Sequence, residues 1–193
     1  MAVLVPAIQA DHATIAAMKR QLALDLMSMV KDANGGIDVV YRPLRPTDLN
    51  NGSTLGRTVS GSLTGGTVAT DIFSSWINLT AVQAVGIYGY AALSANPLID
   101  EIEFVVGAGG GSQTLAIVEL DEMYALQESV GYFLPPICWQ PNEHLGVALL
   151  AGTSVTYEPI SLMGYVAEPA GKTVVRPRTL VTRNGQPAIP GMI

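Results

Sequence analysis

Residues 68–166 break into seven short apolar runs: 68–76, 84–93, 99–106, 114–120, 133–139, 145–151 and 155–166. Turn-forming residues separate them, namely Ser94-Ala95-Asn96-Pro97, the glycine-rich 107–112, Gln140-Pro141-Asn142 and Gly152-Thr153. Runs this short, punctuated by Gly, Pro and Asn, predict antiparallel strands packed as a sandwich or barrel. Ile99, Glu101 and Glu103 alternate only imperfectly with Asp100, Ile102 and Phe104, so the facing of that strand is left open. Residues 121–129 interrupt the β pattern and read as a short inserted helix with Asp121 as its cap.

The preceding segment differs in kind. Ile15, Met18, Leu22, Leu26 and Met29 recur three or four residues apart, which predicts an amphipathic helix over 11–31 capped by Asp11. Asn34-Gly35-Gly36 supplies its stop. The apolar stripe packs either on the β body or against a helix of another subunit. Lys19, Arg20 and Lys31 are too few for a helix lying on a membrane surface. The following Val39-Val40-Tyr41-Arg42-Pro43-Leu44-Arg45-Pro46 is expected to be a polyproline-like connector rather than a helix or central strand. Proline fixes φ and pushes the residue before it into extended conformations. Residues 48–66, rich in Asn, Gly, Ser and Thr, read as loops with one short strand.

Charge divides the chain along the same lines. Between Arg57 and Lys172 there is no lysine or arginine, while those 114 residues hold eleven acids. All ten basic residues lie in the flanks, against five acids there. The expected organisation is a helix and Arg-Pro connector over 1–50, an acidic β body over 51–171 and an extended basic arm over 172–193. Val174-Val175-Arg176-Pro177-Arg178 in the arm echoes the Arg-Pro pattern of the connector.

Only 13% of residues are charged and 49% are hydrophobic, against about 25% charged in an ordinary soluble domain. Much of the surface must be uncharged polar or covered by partners, as in a subunit of an assembly. An acidic body repels nucleic acid and anionic membranes, so direct nucleic-acid binding by it is not expected. No stretch approaches the ~20 apolar residues of a membrane span. Residues 1–10 lack the basic region of a secretory leader and are expected not to be one. The single cysteine, Cys138, excludes an internal disulfide and a Cys-rich zinc site, and reads as a small packed hydrophobe. The acceptor patterns Asn51-Gly52-Ser53 and Asn78-Leu79-Thr80 recur at chance frequency.

The chemistry-bearing residue types give no catalytic pattern. Val105-Val106-Gly107-Ala108-Gly109-Gly110-Gly111 runs a strand into glycines. However, Ser112 stands where a dinucleotide fingerprint needs its third glycine, and a strand-like run follows. A hairpin loop is expected there. His12 and His144 are the only histidines, too few for a cupin-type metal centre, and neither lies near a nucleophile motif. Asp100-Glu101-x-Glu103 and Glu119-x-Asp121-Glu122 carry oxygens suited to calcium without the spacing of a calcium loop. They serve equally as an outer acidic face for the basic arms. A glycosidase carboxylate pair is invisible to spacing alone. Trp76, Trp139 and the seven tyrosines suit either a core or a sugar-binding groove.

The run from Tyr132-Phe133-Leu134-Pro135-Pro136-Ile137-Cys138-Trp139 through Gln140-Pro141-Asn142 to Leu145-Gly146-Val147-Ala148-Leu149-Leu150 enters a strand through prolines, turns, and leaves along a second strand. It resembles the closing strands of single jelly-roll virion proteins, either small icosahedral capsid proteins or head-decoration proteins of tailed phages. Ile87-Tyr88-Gly89-Tyr90 through Glu101-Ile102-Glu103-Phe104 is compatible with an earlier strand pair of that fold. The resemblance implies a mainly β, jelly-roll-like sandwich, a virion location, a structural role, and neither catalysis nor cofactor. Its partners would be copies of itself and other capsid proteins. Assembly contacts are then expected from Arg42, Arg45, Arg176 and Arg178, whose guanidinium groups reach acidic faces of neighbours. Val174, Val175, Leu180 and Ile189, with Val181 and Ile193, would supply the apolar part of the affinity. A carbohydrate-binding or adhesion module and an acid-residue hydrolase are the rival expectations.

Overall fold

The structure is a computed structural model that describes residues 2–45, 48, 59–63, 70–71, 77–108, 111–153 and 155–171. Its strands, in chain order, are β1 (Val3–Pro6), β2 (Val39–Pro43), β3 (Val59–Leu63), β4 (Thr70–Asp71), β5 (Ile77–Asn78), β6 (Ala84–Ala92), β7 (Glu101–Ala108), β8 (Gly111–Glu119), β9 (Val130–Trp139), β10 (His144–Leu150) and β11 (Val155–Pro169). Two α-helices, α1 (His12–Ala33) and α2 (Asp121–Ala125), and a short 3-10 turn at Ala7–Gln9 complete the described elements.

The strands form two antiparallel sheets. One runs β1-β9-β6-β11-β2, with β3 also on β11; the other runs β4-β10-β7-β8, with β5 also on β10. The ladders nest in sequence. The earliest body strands, β2 and β3, pair with the last, β11; β4 and β5 pair with β10, β6 with β9, and β7 with β8.

The core lies between the two sheets. Val85, Ile87 and Tyr90 of β6, Phe133 and Trp139 of β9, and Ile160 and Val166 of β11 meet Ile102 and Phe104 of β7, Val118 of β8, and Leu145 and Val147 of β10. Phe104 packs edge-on against Phe133 with ring centroids 5.2 Å apart, and tilted against Trp139. The Trp139 indole N–H donates to the Val105 carbonyl at 2.9 Å, tying the first sheet to the backbone of the second. A buried indole donor needs such a partner.

Helix α1 covers the outer face of the six-stranded sheet. Asp11 caps it, its carboxylate accepting from the Thr14 N–H at 2.9 Å. Asn34 closes the far end, donating to the Val30 and Ala81 carbonyls, and Gly35 and Gly36 then leave the helix at positive φ. Leu22, Leu26 and Val30 bury against Ala84 and Ala167. Of the expected stripe, Ile15, Leu22 and Leu26 are buried and Met18 and Met29 half-buried, while Ala23 and Val30 join them. With a helix on one side and a sheet on the other, β6 is buried almost throughout, which explains why its run is continuous rather than alternating.

Three local expectations change. The Arg-Pro segment is not a connector: β2 is an edge strand laid antiparallel on β11, Tyr41 opposite Ala167 and Pro43 opposite Tyr165. A sheet edge is where proline can be accommodated, since its missing N–H need not serve a ladder. With β1 on β9, residues 1–50 therefore contribute two strands and the covering helix to the same body. In the glycine-rich 107–112 stretch, expected as a hairpin loop, the β7–β8 ladder continues, Gly107 facing Ser112 and Ala108 facing Gly111, while residues 109–110 lie outside the described residues. Finally, Asp121 is the first residue of α2 and Leu120 its N-cap, which makes no side-chain capping bond.

Candidate assembly surface

The outer face of the second sheet is built by alternation along β7 and β8. Ile102, Phe104, Ala116 and Val118 point into the core, which leaves Glu101, Glu103, Ile117 and Glu119 outward. Pairing places Glu101 directly opposite Glu119, and Glu103 opposite Ile117. Thr114 donates its hydroxyl to the Glu103 carboxylate at 2.6 Å, while the facing pair Glu101 and Glu119 is like-charged and destabilising. No lysine or arginine anywhere in residues 58–171 relieves it.

β8 ends the strand order of its sheet, so its outer edge has no ladder partner among the described residues. Natural edges are blunted by Pro, Lys, a cover or a bulge. β8 contains neither Pro nor Lys. It has a bulge at Leu115, the extra residue where Phe104 pairs with Ala116 and Val105 with Thr114. Beyond the bulge lies Ala116-Ile117-Val118-Glu119, with Ile117 40% exposed. Beside this stretch a cleft of about 330 Å³ opens between the two sheets, lined by Val3 and Leu4 of β1, Ile117, Val118 and Glu119 of β8, and Met123 of α2. Val3, also an edge residue, is 59% exposed.

Arg42 is engaged within its own chain. Its guanidinium holds Asp48 through two bonds of 2.6 and 2.7 Å and Glu168 through Nε at 2.9 Å, and all three side chains are largely buried. The bonds from Asp48, and then from Glu168, hold its pKa above the usual arginine range against the cost of burial. This pairing staples β2 to β11 within the chain. Arg45 is exposed at the end of β2, its main-chain N–H donating to Asp48 at 2.7 Å. Arg176, Arg178, Val174, Val175, Leu180 and Ile189 lie outside the described residues, as do Val181, Ile193, Trp76 and Arg57.

The residues weighed for chemistry are dispersed. His12 opens α1 and His144 opens β10, its backbone opposite Asn78 and Gly107. The Asp100 carboxylate accepts from the Gly152 N–H. Among the described residues no group of three or more His, Cys, Asp or Glu is arranged to hold a metal ion, and no helix is long and apolar enough to cross a membrane. Cys138 packs beneath α1, where burial pushes its thiol up to about 11. Trp139 is fully buried in the core.

One aromatic feature was not legible in the sequence. Tyr41 and Tyr165 meet edge to face at 5.3 Å, Tyr165 and Tyr88 lie 5.2 Å apart, and the Lys19 ammonium sits 4.5 Å over Tyr88 and 5.0 Å over Tyr132. Four strands thus place tyrosines in a row beside α1. Burial pushes the Tyr88 hydroxyl up to about 12 and lowers the Lys19 pKa. The four lie far apart in sequence, so only strand pairing assembles them.

No family model matches the chain, and no curated protein or solved structure matches it significantly.

Proposed function

We propose that this chain is a structural subunit of a viral particle, a capsid or capsid-decoration protein, whose activity is self-assembly. The observation that carries the reading is the nesting of the ladders. A long antiparallel hairpin with first strand on last, second on seventh, third on sixth and fourth on fifth rolls up into a jelly roll of two Greek keys. Taking β2 and β3 as the first strand, and β4 and β5 as the second, the pairings follow that rule. The virion-like segment Tyr132–Leu150 falls on β9 and β10, which belong to different sheets, as expected of consecutive strands in that winding.

Jelly rolls also build lectins and cupins, so the fold alone does not choose. An acidic, apolar, sparsely blunted sheet edge and a basic tail within one chain support association between copies. Size-exclusion chromatography with light scattering and negative-stain microscopy test it. Repeating or closed particles are expected, and a protein that stays monomeric across concentration and salt would remove the reading. The tyrosine row favours a second reading, a sugar-binding face, because aromatic rings stack on pyranose faces. Saturable glycan binding by monomeric protein, lost in Tyr41→Ala, would replace the first reading with the second.

A further inference from the structure

We infer that the assembly bond is a strand added to the edge of β8 that has no ladder partner among the described residues, supplied by residues 178–183 of a neighbouring copy. The inference rests on the shell-subunit reading and specifies its contact. Only one segment of the chain is strongly cationic without any acid: residues 172–193 carry Lys172, Arg176, Arg178 and Arg183. Within it, Thr179-Leu180-Val181-Thr182 is the β-prone run, bounded by Arg178 and Arg183. Because body faces of like charge repel one another, a second β8 is a poorer occupant of this edge than a cationic strand.

Period-two alternation sets the register. Laid antiparallel on β8, Arg178 comes opposite Glu119 and Leu180 opposite Ile117, both on the outer face. Thr179 then lies opposite Val118 and Val181 opposite Ala116, on the side of the cleft between the sheets. This order gives Glu119 a cation where β7 gives it only Glu101. It covers the exposed Ile117 and sets Thr179 beside Val118 at the cleft that Leu4, Met123, Glu119 and Glu122 also line. It places Val181 over the buried Ala116 and pairs the backbone edge that has no ladder partner among the described residues. Shifting by one residue would put Arg178 toward the core side, so the register is specified by chemistry on both faces. Main-chain bonds supply affinity in such additions and alternate side chains supply specificity.

The test uses full-length protein. A copy labelled with 15N and carrying p-benzoylphenylalanine at Ile117 is mixed with unlabelled chain before assembly, irradiated, and digested for mass spectrometry. Expected are crosslinks from the labelled position to unlabelled peptides of residues 172–193. They should fall about tenfold or more in Arg178→Glu or Glu119→Arg, because like charges across an interface cost this much, and recover in the double exchange. Crosslinks confined to labelled tails would mean that each tail folds back on its own body, which overturns the inference. Assembly without tail crosslinks, or single exchanges without effect, overturns it while leaving the shell reading intact. If the wild type does not assemble at all, the shell reading falls and takes this contact with it.

Discussion

A methyl group added at Gly164 would drive into the carbonyl oxygen of Gly86, where β6 and β11 shift register against each other. Both partners are main chain, so no rotamer change relieves the contact. Gly164→Ala is expected to cost about 2–3 kcal/mol, in the overpacking range, read from urea unfolding. Glu158 is a second residue fixed by its surroundings. It is buried, with its two oxygens accepting the Leu98 N–H at 3.1 and 2.9 Å. Burial raises its pKa, the Leu98 and Ile99 N–H groups oppose that, and Asp100 adds to it. A carboxyl whose folded pKa is raised takes up its proton in the folded state first. Its contribution to stability therefore improves as pH falls through the folded pKa and levels off below the unfolded value of about 4.3. Glu158→Gln should thus gain on the wild type at pH 7, and the gap should shrink as denaturation is repeated at lower pH down to about 4. A gap independent of pH would mean that Glu158 does not titrate differently on folding. Neither role was readable from sequence: one glycine among twenty and one acid among sixteen carry no local mark of the backbone they will meet.

Among the elements, α1 was the most legible, and for a physical reason. Cap, apolar period and glycine stop all act within the helix itself, and Asp11, Leu22, Leu26 and Gly35 each do what their spacing foretold. What the helix covers was not legible, since Ala84, Gly86 and Ala167 accept it by being small, and smallness is silent in a periodicity. Leu26→Ala removes a fully buried side chain at that seam and should cost about 3 kcal/mol by denaturant unfolding. β2 shows the opposite failing. Prolines at 43 and 46 argued for a connector, but the edge of a sheet tolerates what its centre does not, and only strand order reveals an edge. Arg42, expected to reach a carboxylate on a neighbour, also holds two of its own chain, Asp48 and Glu168, and their meeting was not legible in the sequence.

For the whole molecule, the charge split between an acidic body and a basic tail is what the proposed assembly rests on. The described strands and helices are built from residues 3–169, ahead of the basic tail in the chain. Deleting residues 172–193 should leave far-UV circular dichroism and the unfolding midpoint essentially unchanged while reducing oligomer formation in light scattering. An unchanged oligomer would remove the tail from assembly. Sequence by itself determined the class of architecture, since short punctuated apolar runs bury a face only as packed antiparallel sheets. It also determined the helix and the segregation of charge, because both are properties of neighbours along the chain. Tertiary structure alone decided which strands pair, where the edges fall and which charges meet. Those depend on contacts between residues as distant as Arg42 and Glu168, whose pairing follows from the winding of the whole chain.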